Sequence, residues 1–252
     1  MKKLWIIPVL VLVFAFASCG SSEDKNDMGM MLPLLLGGGG KTLKFSNQQI
    51  YIFKNKMTGT SDINMYTKTV AAFPVYSDSG YNMGTASIKN GKLNAEISAP
   101  TVSAGTLDMD ANDIKSYLSG WLVNNPDCDS TTAMFAVITG LKWSDDSNTY
   151  DAWRTTQDVI DFDDWFAWRN CTEVFYFYAS ENVTITGMAD SWTNGDVYGD
   201  GSNVAVDFTV IAPTLNLKKG WNAVGKKYTT NGTDAVTIQF STGNAGRWLA
   251  YY

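Results

Sequence analysis

The sequence of 252 residues contains no histidine. This absence excludes Ser-His-Asp and Cys-His catalysis, together with every metal site that requires an imidazole ligand. Lys and Arg number 19 against 25 Asp and Glu, and they form no basic block. Proteins that bind nucleic acid neutralise phosphates with such blocks, so we expect no nucleic-acid partner. Because no catalytic motif is recognisable either, the sequence predicts a protein that is not an enzyme.

Apolar and aromatic residues, by contrast, are plentiful. The hydrophobic fraction is 45% and the charged fraction 17%, which is ordinary for a folded protein with a core. Aromatic residues make up 13% and include nine Trp, which favours packed sheets, aromatic binding surfaces, or both. The length suffices for one large β domain or two small ones.

Residues 1–18 have the pattern of an export signal. Two lysines give a positive start, and the apolar run that follows is too short to cross a bilayer comfortably. Ala17 and Ser18 then precede Cys19. This arrangement resembles the lipobox of bacterial lipoproteins, in which the cysteine receives diacylglycerol, although Phe16 stands where Leu is common.

The resemblance implies that Cys19 is lipidated and holds the protein on a membrane of the bacterial cell envelope, at the outer membrane or the periplasmic face. Removal of the leader lowers the formal charge from −6 to −8, because Lys2 and Lys3 leave with it. The alternatives are an ordinary secretory signal with an incidental cysteine and an uncleaved anchor helix. Pro8 and the short apolar run argue against the second alternative.

Residues 19–41 are predicted to form a flexible tether. Residues 20–27 are small, polar and charged, which is typical of a solvated linker. An apolar stretch at residues 28–36 and four glycines at residues 37–40 follow. The glycines adopt many backbone angles and would uncouple the folded body from the anchor.

The body from residue 42 onward has the two-residue period of β-strands. Apolar residues alternate with polar ones in three clear stretches, at residues 93–98, 204–210 and 236–240. Asn90-Gly91 and Asn231-Gly232 predict hairpin turns, because both residue types tolerate positive φ. Residues 174–178 are apolar throughout and suit a strand that is buried on both faces.

Helical spacing occurs in only two stretches, residues 110–123 and residues 151–169. The predicted fold is therefore all-β and mainly antiparallel, with one or two β-sandwich domains and one or two short helices. We expect an N-terminal β domain at residues 42–112 and a C-terminal β-sandwich domain at residues 113–252.

Several segments resemble uncharacterised lipoproteins of host-associated bacteria. The strongest is residues 215–224, LNLKKGWNAV, and residues 176–178, 182–187 and 87–93 add weaker likenesses. The resemblance implies a β body with no catalytic residues. Residues 143–170 look like an addition to that pattern, so a special function is expected there. Trp221 of the Gly-Trp-Asn turn is either a core residue or an exposed platform.

The remaining cysteines, Cys128 and Cys171, suggest a disulfide, because an exported protein meets an oxidising compartment. The bridge would close a loop of about 43 residues and stabilise the fold by about 4 kcal/mol. The alternative is two separate buried thiols.

Residues 143–170 combine carboxylates with aromatic rings. A sugar-binding face would use both, since rings stack on pyranoses and carboxylates accept hydroxyl hydrogen bonds. Glycoside hydrolysis, which needs two carboxylates at a defined separation, and a solvated acidic helix are the alternatives. The candidate ligand-binding residues are Trp143, Trp153, Trp165, Trp168, Asp161, Asp163 and Asp164.

A weak calcium loop is suggested by Asp196, Asp200 and Asp207, whose spacing partly matches that of calcium ligands. A Gly- and Asp-rich turn is the alternative, and no other cofactor is indicated. Together these features predict a membrane-anchored, non-enzymatic lipoprotein that binds a glycan or a protein. The rival functions are a carboxylate-based glycoside hydrolase and an adhesin or assembly subunit, which would need an exposed sheet edge or donor strand.

Overall fold

Hairpins and long strands dominate the computed structural model of the protein. It describes residues 41–53, 63–100, 109–120, 123–156, 171–194, 205–231, 234–243 and 246–252. The predicted leader, Cys19 and the predicted tether up to residue 40 lie outside these ranges.

The one helix in the described ranges is α1 (Ala111–Ser119). The strands are β1 (Thr42–Phe53), β2 (Asn64–Met65), β3 (Val70–Tyr76), β4 (Asn82–Lys89), β5 (Lys92–Ser98), β6 (Asn124–Cys128), β7 (Phe135–Ile138), β8 (Gly140–Ser144), β9 (Thr149–Thr155), β10 (Thr172–Ala179), β11 (Val183–Met188), β12 (Asp190–Asn194), β13 (Val206–Val210), β14 (Thr214–Leu217), β15 (Gly220–Thr230), β16 (Ala235–Thr242) and β17 (Arg247–Tyr251).

The strands form two hydrogen-bonded sheets. The larger has 14 strands, and its main path runs β12-β13-β16-β15-β10-β9-β17-β1-β5-β4-β3, while β2, β7 and β8 join at β1, β10 and β9. The smaller has three strands in the order β14-β11-β6. Within the described ranges, only the pairs β1/β17 and β13/β16 are parallel. The predicted all-β, mainly antiparallel fold is confirmed.

Strand β10 lies at the centre of the fold, because apolar side chains cover both of its faces. Val174 and Tyr176 belong to a first core cluster with residues of β1 and β3–β5. Phe175 and Phe177 belong to a second cluster, which α1, β13, β16 and the small sheet complete. Core residues on both faces of one strand give the protein sandwich-like layers. The prediction of a doubly buried strand at residues 174–178 is confirmed.

Strand β1 pairs both with an early strand, β5, and with the last strand, β17. Its first half pairs with β5, and Ile50 to Phe53 pair in parallel with β17. The register shifts between Phe45 and Gln48, where Asn47 has a φ of 51°. Residues on both sides of the predicted domain boundary at 112/113 therefore share a sheet and the first core cluster. That boundary falls inside α1.

The turn predictions hold where the structure describes them. Strands β4 and β5 form a hairpin in which Lys89 pairs with Lys92, and Asn90 and Gly91 take φ values of 51° and 75°. Positive φ at both central residues is the geometry that matches strand twist in a two-residue turn. Gly91 has a further role, since a Cβ there would lie 1.6 Å from the carbonyl oxygen of Tyr66.

The first predicted helix is confirmed over most of its length. The Asp110 side chain accepts hydrogen bonds from two backbone amides of the first turn, and the Asp113 side chain accepts one from the Asp110 amide, which completes a capping box. Ile114 and Leu118 are buried. The helix ends at Ser119, so its predicted extension to residue 123 is wrong. Strand β6 begins at Asn124, which leaves no room for a longer helix.

The second predicted helix is wrong at its start. Residues 151–155 belong to β9, which pairs with both β8 and β17. Tyr150, Ala152 and Arg154 alternate inward, and pairing on both sides outweighs a helical spacing that rests on residues further along. Residues 157–170 lie outside the described ranges. In the part of the chain that the structure describes, no helix is long and apolar enough to cross a membrane.

Candidate functional site

Trp143, a predicted ligand-binding residue, lies in the core. Only 3% of it is exposed, and its ring stacks on Tyr150 with centroids 5.3 Å apart. The two residues are opposite each other in the β8–β9 hairpin, so both side chains point into the first core cluster. A ring buried in this way offers no face to a sugar, so Trp143 does not fit the predicted sugar-binding face.

Trp153 is partly buried at the other face of β9. It packs edge-on against Phe53, with ring centroids 5.8 Å apart, and tilted against Tyr251, with centroids 5.5 Å apart. These contacts form a small third cluster with Leu249. The other predicted ligand-binding residues lie outside the described ranges and stay predictions: Trp165, Trp168, Asp161, Asp163 and Asp164.

Asp145 is a carboxylate that lies against the aromatic side chains of the first core cluster. It accepts hydrogen bonds from the hydroxyls of Tyr66 and Tyr150, both at 3.0 Å, and it forms an ion pair with Lys68 at 2.9 Å. Burial alone would raise the pKa of Asp145, but these donors and two backbone amides hold the pKa below its usual range. Asp145 therefore ties the β8–β9 hairpin to the segment before β3 and has a structural role.

The predicted disulfide is wrong. Within the described ranges, Cys128 and Cys171 are thiols that are not bridged. Cys128 pairs with Ile185 in the small sheet, whereas Cys171 precedes β10 in the large sheet. The Cys171 Sγ instead lies 2.7 Å from the Thr155 Oγ1. The alternative of two separate thiols therefore describes the protein.

The calcium prediction receives no support from the described residues. Asp207 lies in β13, where its carboxylate accepts a hydrogen bond of 2.6 Å from Thr193. Asp196 and Asp200 lie outside the described ranges. In those ranges no group of three or more His, Cys, Asp or Glu side chains is placed to hold a metal ion.

Trp221 is a core residue, with 1% of its surface exposed. Its ring meets Tyr178 edge-on at 5.6 Å. The turn before it is fixed by the Asn222 amide, which donates to the carbonyls of Lys218 and Gly220 at 2.7 and 2.8 Å. Of the two options for the Gly-Trp-Asn turn, the core role is confirmed.

Two buried polar groups escape prediction from the sequence. Arg154 is 1% exposed, and its guanidinium donates to the Tyr176 hydroxyl, the Gln48 side chain and the Gly246 carbonyl. Lys226 is 8% exposed and lies opposite Glu173 in the β10/β15 pair. Arg154 and Lys226 both occupy inward positions of the two-residue alternation. A charged side chain in a strand is usually exposed, so the sequence gives no sign that these two are buried.

Burial shapes the protonation of the Glu173 and Lys226 pair. It raises the pKa of Glu173, an effect that Lys226 and the Tyr228 hydroxyl, which donates at 3.1 Å, oppose. It lowers the pKa of Lys226, and Glu173 opposes that shift in turn. The ammonium lies over the Tyr228 ring, 5.2 Å from its centroid. Lys226 thus lies among the aromatic rings of Tyr228 and Phe240, while Glu173 stays partly exposed.

A surface groove of about 430 Å³ lies elsewhere, at the junction of the two sheets. It is bounded by the end of α1, the start of β6 and the start of β12. Strand β12 is the last strand at one end of the large sheet, and β6 is the last strand of the small sheet. The lining residues are Ser119, Val123, Asn124, Asn125, Asp190 and Trp192.

Trp192 is the main feature of this groove. Its ring is parallel to that of Phe208, with an interplanar angle of 4° and centroids 5.1 Å apart. Phe208 is its pairing partner in β13 and belongs to the second core cluster. The core therefore fixes the orientation of a partly exposed indole at the groove wall, which is the requirement for stacking on a flat ligand.

The rest of the lining is mostly polar. Asn124, Asn125 and Ser119 provide hydrogen-bond donors and acceptors, and Asp190 provides a carboxylate. Asn125 has a φ of 42°, and its amide lies 3.5 Å from the Met188 sulfur. The sequence signal for this site is a tryptophan among small polar residues at 190–194, which is weaker than the dense aromatic stretch at residues 143–170.

The fold and this groove define an antiparallel β protein with a tryptophan-lined surface groove. Comparison with models of protein families, with curated protein sequences and with solved structures finds no match.

Proposed function

We propose that the protein is a lipid-anchored, non-enzymatic binding protein of the bacterial cell envelope, and that its groove binds a glycan. The anchor rests on Cys19 and the leader before it. The binding function rests on one observation, the indole of Trp192 held flat at the groove wall by Phe208. Pyranose rings present an apolar face of C–H groups that stacks on such a surface.

The polar lining supports a sugar over an apolar ligand. Asn124 and Asn125 carry amides that donate and accept, which is the capacity that vicinal hydroxyls require. An apolar ligand would bury these amides without partners at a cost of about 1–3 kcal/mol for each unsatisfied group. A glycan satisfies the amides and the indole together.

Binding also accounts for the groove better than hydrolysis does. Hydrolysis by the usual mechanism needs two carboxylates on opposite sides of the scissile bond. Among the lining residues within the described ranges, Asp190 is the one carboxylate. The geometry therefore favours a lectin-like role over a glycoside hydrolase.

The adhesin alternative draws on the sheet edges. Strands β6 and β12 each end a sheet, which would admit an added strand. Strand β6 is poorly suited to that role, because Pro126 lacks an N–H and Asn125 has a left-handed φ. An extended peptide would therefore find a broken ladder along this side of the groove.

The test is a glycan array probed with the full-length chain and with Trp192→Ala. We expect the wild type to bind a set of glycans and Trp192→Ala to lose about 5- to 150-fold in affinity, the equivalent of the about 1–3 kcal/mol that a ring stacked on an aromatic side chain contributes, as for nucleobases. Tyr76→Ala is the matched control, because Tyr76 is 51% exposed and lies outside the groove. Equal binding by Trp192→Ala and wild type would remove the groove as the binding site.

A further inference from the structure

The groove has a negative electrostatic character. Asp190 is partly exposed in its wall, and the Oδ1 atom accepts a hydrogen bond of 2.8 Å from the Ser191 amide. No Lys or Arg is among the lining residues that the structure describes. A ligand with a negative charge would meet repulsion here, and a ligand with a positive charge would be attracted.

The end of α1 adds to this character. The helix finishes at Ser119, which lines the groove, and its last turn contains no basic residue. Carbonyl groups at the C-terminus of a helix carry partial negative charge and stabilise nearby cations. Asp190 and the helix end are separate features of the fold, and both act in the same direction.

Trp192 contributes a third attraction for a cation. The face of an indole is negative, and among aromatic side chains it binds ammonium groups most strongly. The same ring that would stack on a sugar therefore also favours a positive substituent on that sugar. A protonated amine beside a pyranose ring matches the indole, the carboxylate and the helix end at once.

We infer that the groove prefers a hexosamine unit with a free, protonated amine over the same unit in its N-acetylated form. This inference rests on the proposed glycan-binding function and specifies its ligand class. Asp190 is the specificity-determining residue, because it is the one full negative charge among the lining residues that the structure places. N-acetylation removes the positive charge and leaves the sugar ring for Trp192.

The test is calorimetric titration of the full-length chain with two matched ligands, a β-1,4-linked glucosamine oligomer and the N-acetylglucosamine oligomer of equal length. In mildly acidic buffer of low salt, we expect the free-amine oligomer to bind about fivefold more tightly, the ratio expected for one solvated ion pair. Raising the salt concentration should reduce this preference, since screening weakens charge interactions at the surface.

Asp190→Asn keeps the shape of the side chain and removes its charge. We expect this variant to lose most of the preference for the free-amine oligomer, because only the weaker attractions of the helix end and of Trp192 remain. Its affinity for the N-acetylated oligomer should be unchanged from wild type. Glu96→Gln is the control for net charge, because Glu96 is an exposed residue of β5 in a surface ion pair with Lys44. It should retain the fivefold preference.

Each other outcome overturns the inference in a distinguishable way. Equal binding of both oligomers by wild type, lost in Trp192→Ala, would leave the glycan function and reject the amine preference. Binding of trilysine as tight as that of the glucosamine oligomer would show that the amine alone is recognised and reject the sugar. Failure of both oligomers, together with an empty glycan array, would reject the proposed function as well.

Discussion

Arg154 donates a hydrogen bond of 3.0 Å to the hydroxyl of Tyr176, and each residue is 1% exposed. The same guanidinium reaches Gln48 Oε1 at 3.3 Å and the Gly246 carbonyl at 3.2 Å. Gln48 Oε1 also accepts from the Trp248 indole at 2.8 Å. One side chain of β9 therefore links β1, β10 and the entrance to β17, which are distant in sequence.

Replacement of Arg154 by Lys should lower the free energy of unfolding by about 1–3 kcal/mol. The positive charge remains buried, but one ammonium cannot reproduce the planar fork that reaches three acceptors, so at least one buried acceptor loses its donor. Urea denaturation of wild type and variant measures the difference.

The control is a double-mutant cycle with Tyr176→Phe. If the Arg154–Tyr176 bond contributes as the geometry indicates, the two changes together should cost less than their sum, because both remove the same bond. Lys89→Arg, at an exposed position of β4, should leave the stability within about 0.5 kcal/mol of wild type. Additive costs in the cycle would contradict the contribution of this bond.

Asp145 should give the protein a specific acid sensitivity. Because its folded pKa lies below the unfolded value of about 3.9, its stabilising contribution is present above that pH and is lost as the pH falls through the folded pKa. Asp145→Asn lacks the contribution at every pH. The stability gap between wild type and variant should therefore be largest at neutral pH and narrow below about pH 4.

Thermal melting across this pH range checks the prediction. Glu96→Gln provides the control, because the Lys44–Glu96 pair is exposed on both sides, with side-chain exposures of 59% and 63%. Its gap to wild type should be small at every pH. A gap for Asp145→Asn that is constant with pH would show that hydrogen-bond geometry, and not the charge, carries the effect.

Gly91 and Gly80 form a matched pair of glycines with positive φ. A Cβ at Gly91 would come within 1.6 Å of the Tyr66 carbonyl oxygen, whereas a Cβ at Gly80 would meet nothing within 4 Å. Gly80→Ala should therefore cost only the backbone strain of about 1 kcal/mol, and Gly91→Ala should cost clearly more, because the backbone at Tyr66 must move. Urea denaturation of the two variants compares the costs, and equal values would refute the close approach.

Replacement of Cys19 by Ser should release the protein from membranes and abolish labelling by a radioactive fatty acid. The reason is that acyl chains hold a protein by about 0.8 kcal/mol for each buried CH₂ group, and serine offers no thiol to receive them. Cys128→Ser is the matched control, because its thiol is partly buried in the small sheet. A Cys19→Ser protein that stays labelled and membrane-bound would reject the anchor.

Local patterns predicted the elements whose signals lie within a few residues. The alternation at residues 206–210 and 236–240 became β13 and β16 with the expected buried faces. The Asn90-Gly91 turn and the Asp110 cap also follow from residues next to one another. The helix expected at residues 151–169 was wrong at its start, since β9 is specified by its partner strands β8, β10 and β17 and not by its own spacing.

The sequence by itself determined the absence of histidine chemistry and the mainly antiparallel β class, because each depends on composition or on short-range periodicity. The leader and the lipidation of Cys19 stay predictions of the sequence. Only the tertiary structure decided that Trp143 is buried, that Cys128 and Cys171 belong to different sheets, and that Trp192 stands at an open groove. These outcomes depend on pairings between distant strands, such as β1 with β17, and on which strands end a sheet. Two-residue alternation predicts that one face of a strand is buried. Which strands cover that face depends on pairings between residues far apart in the chain.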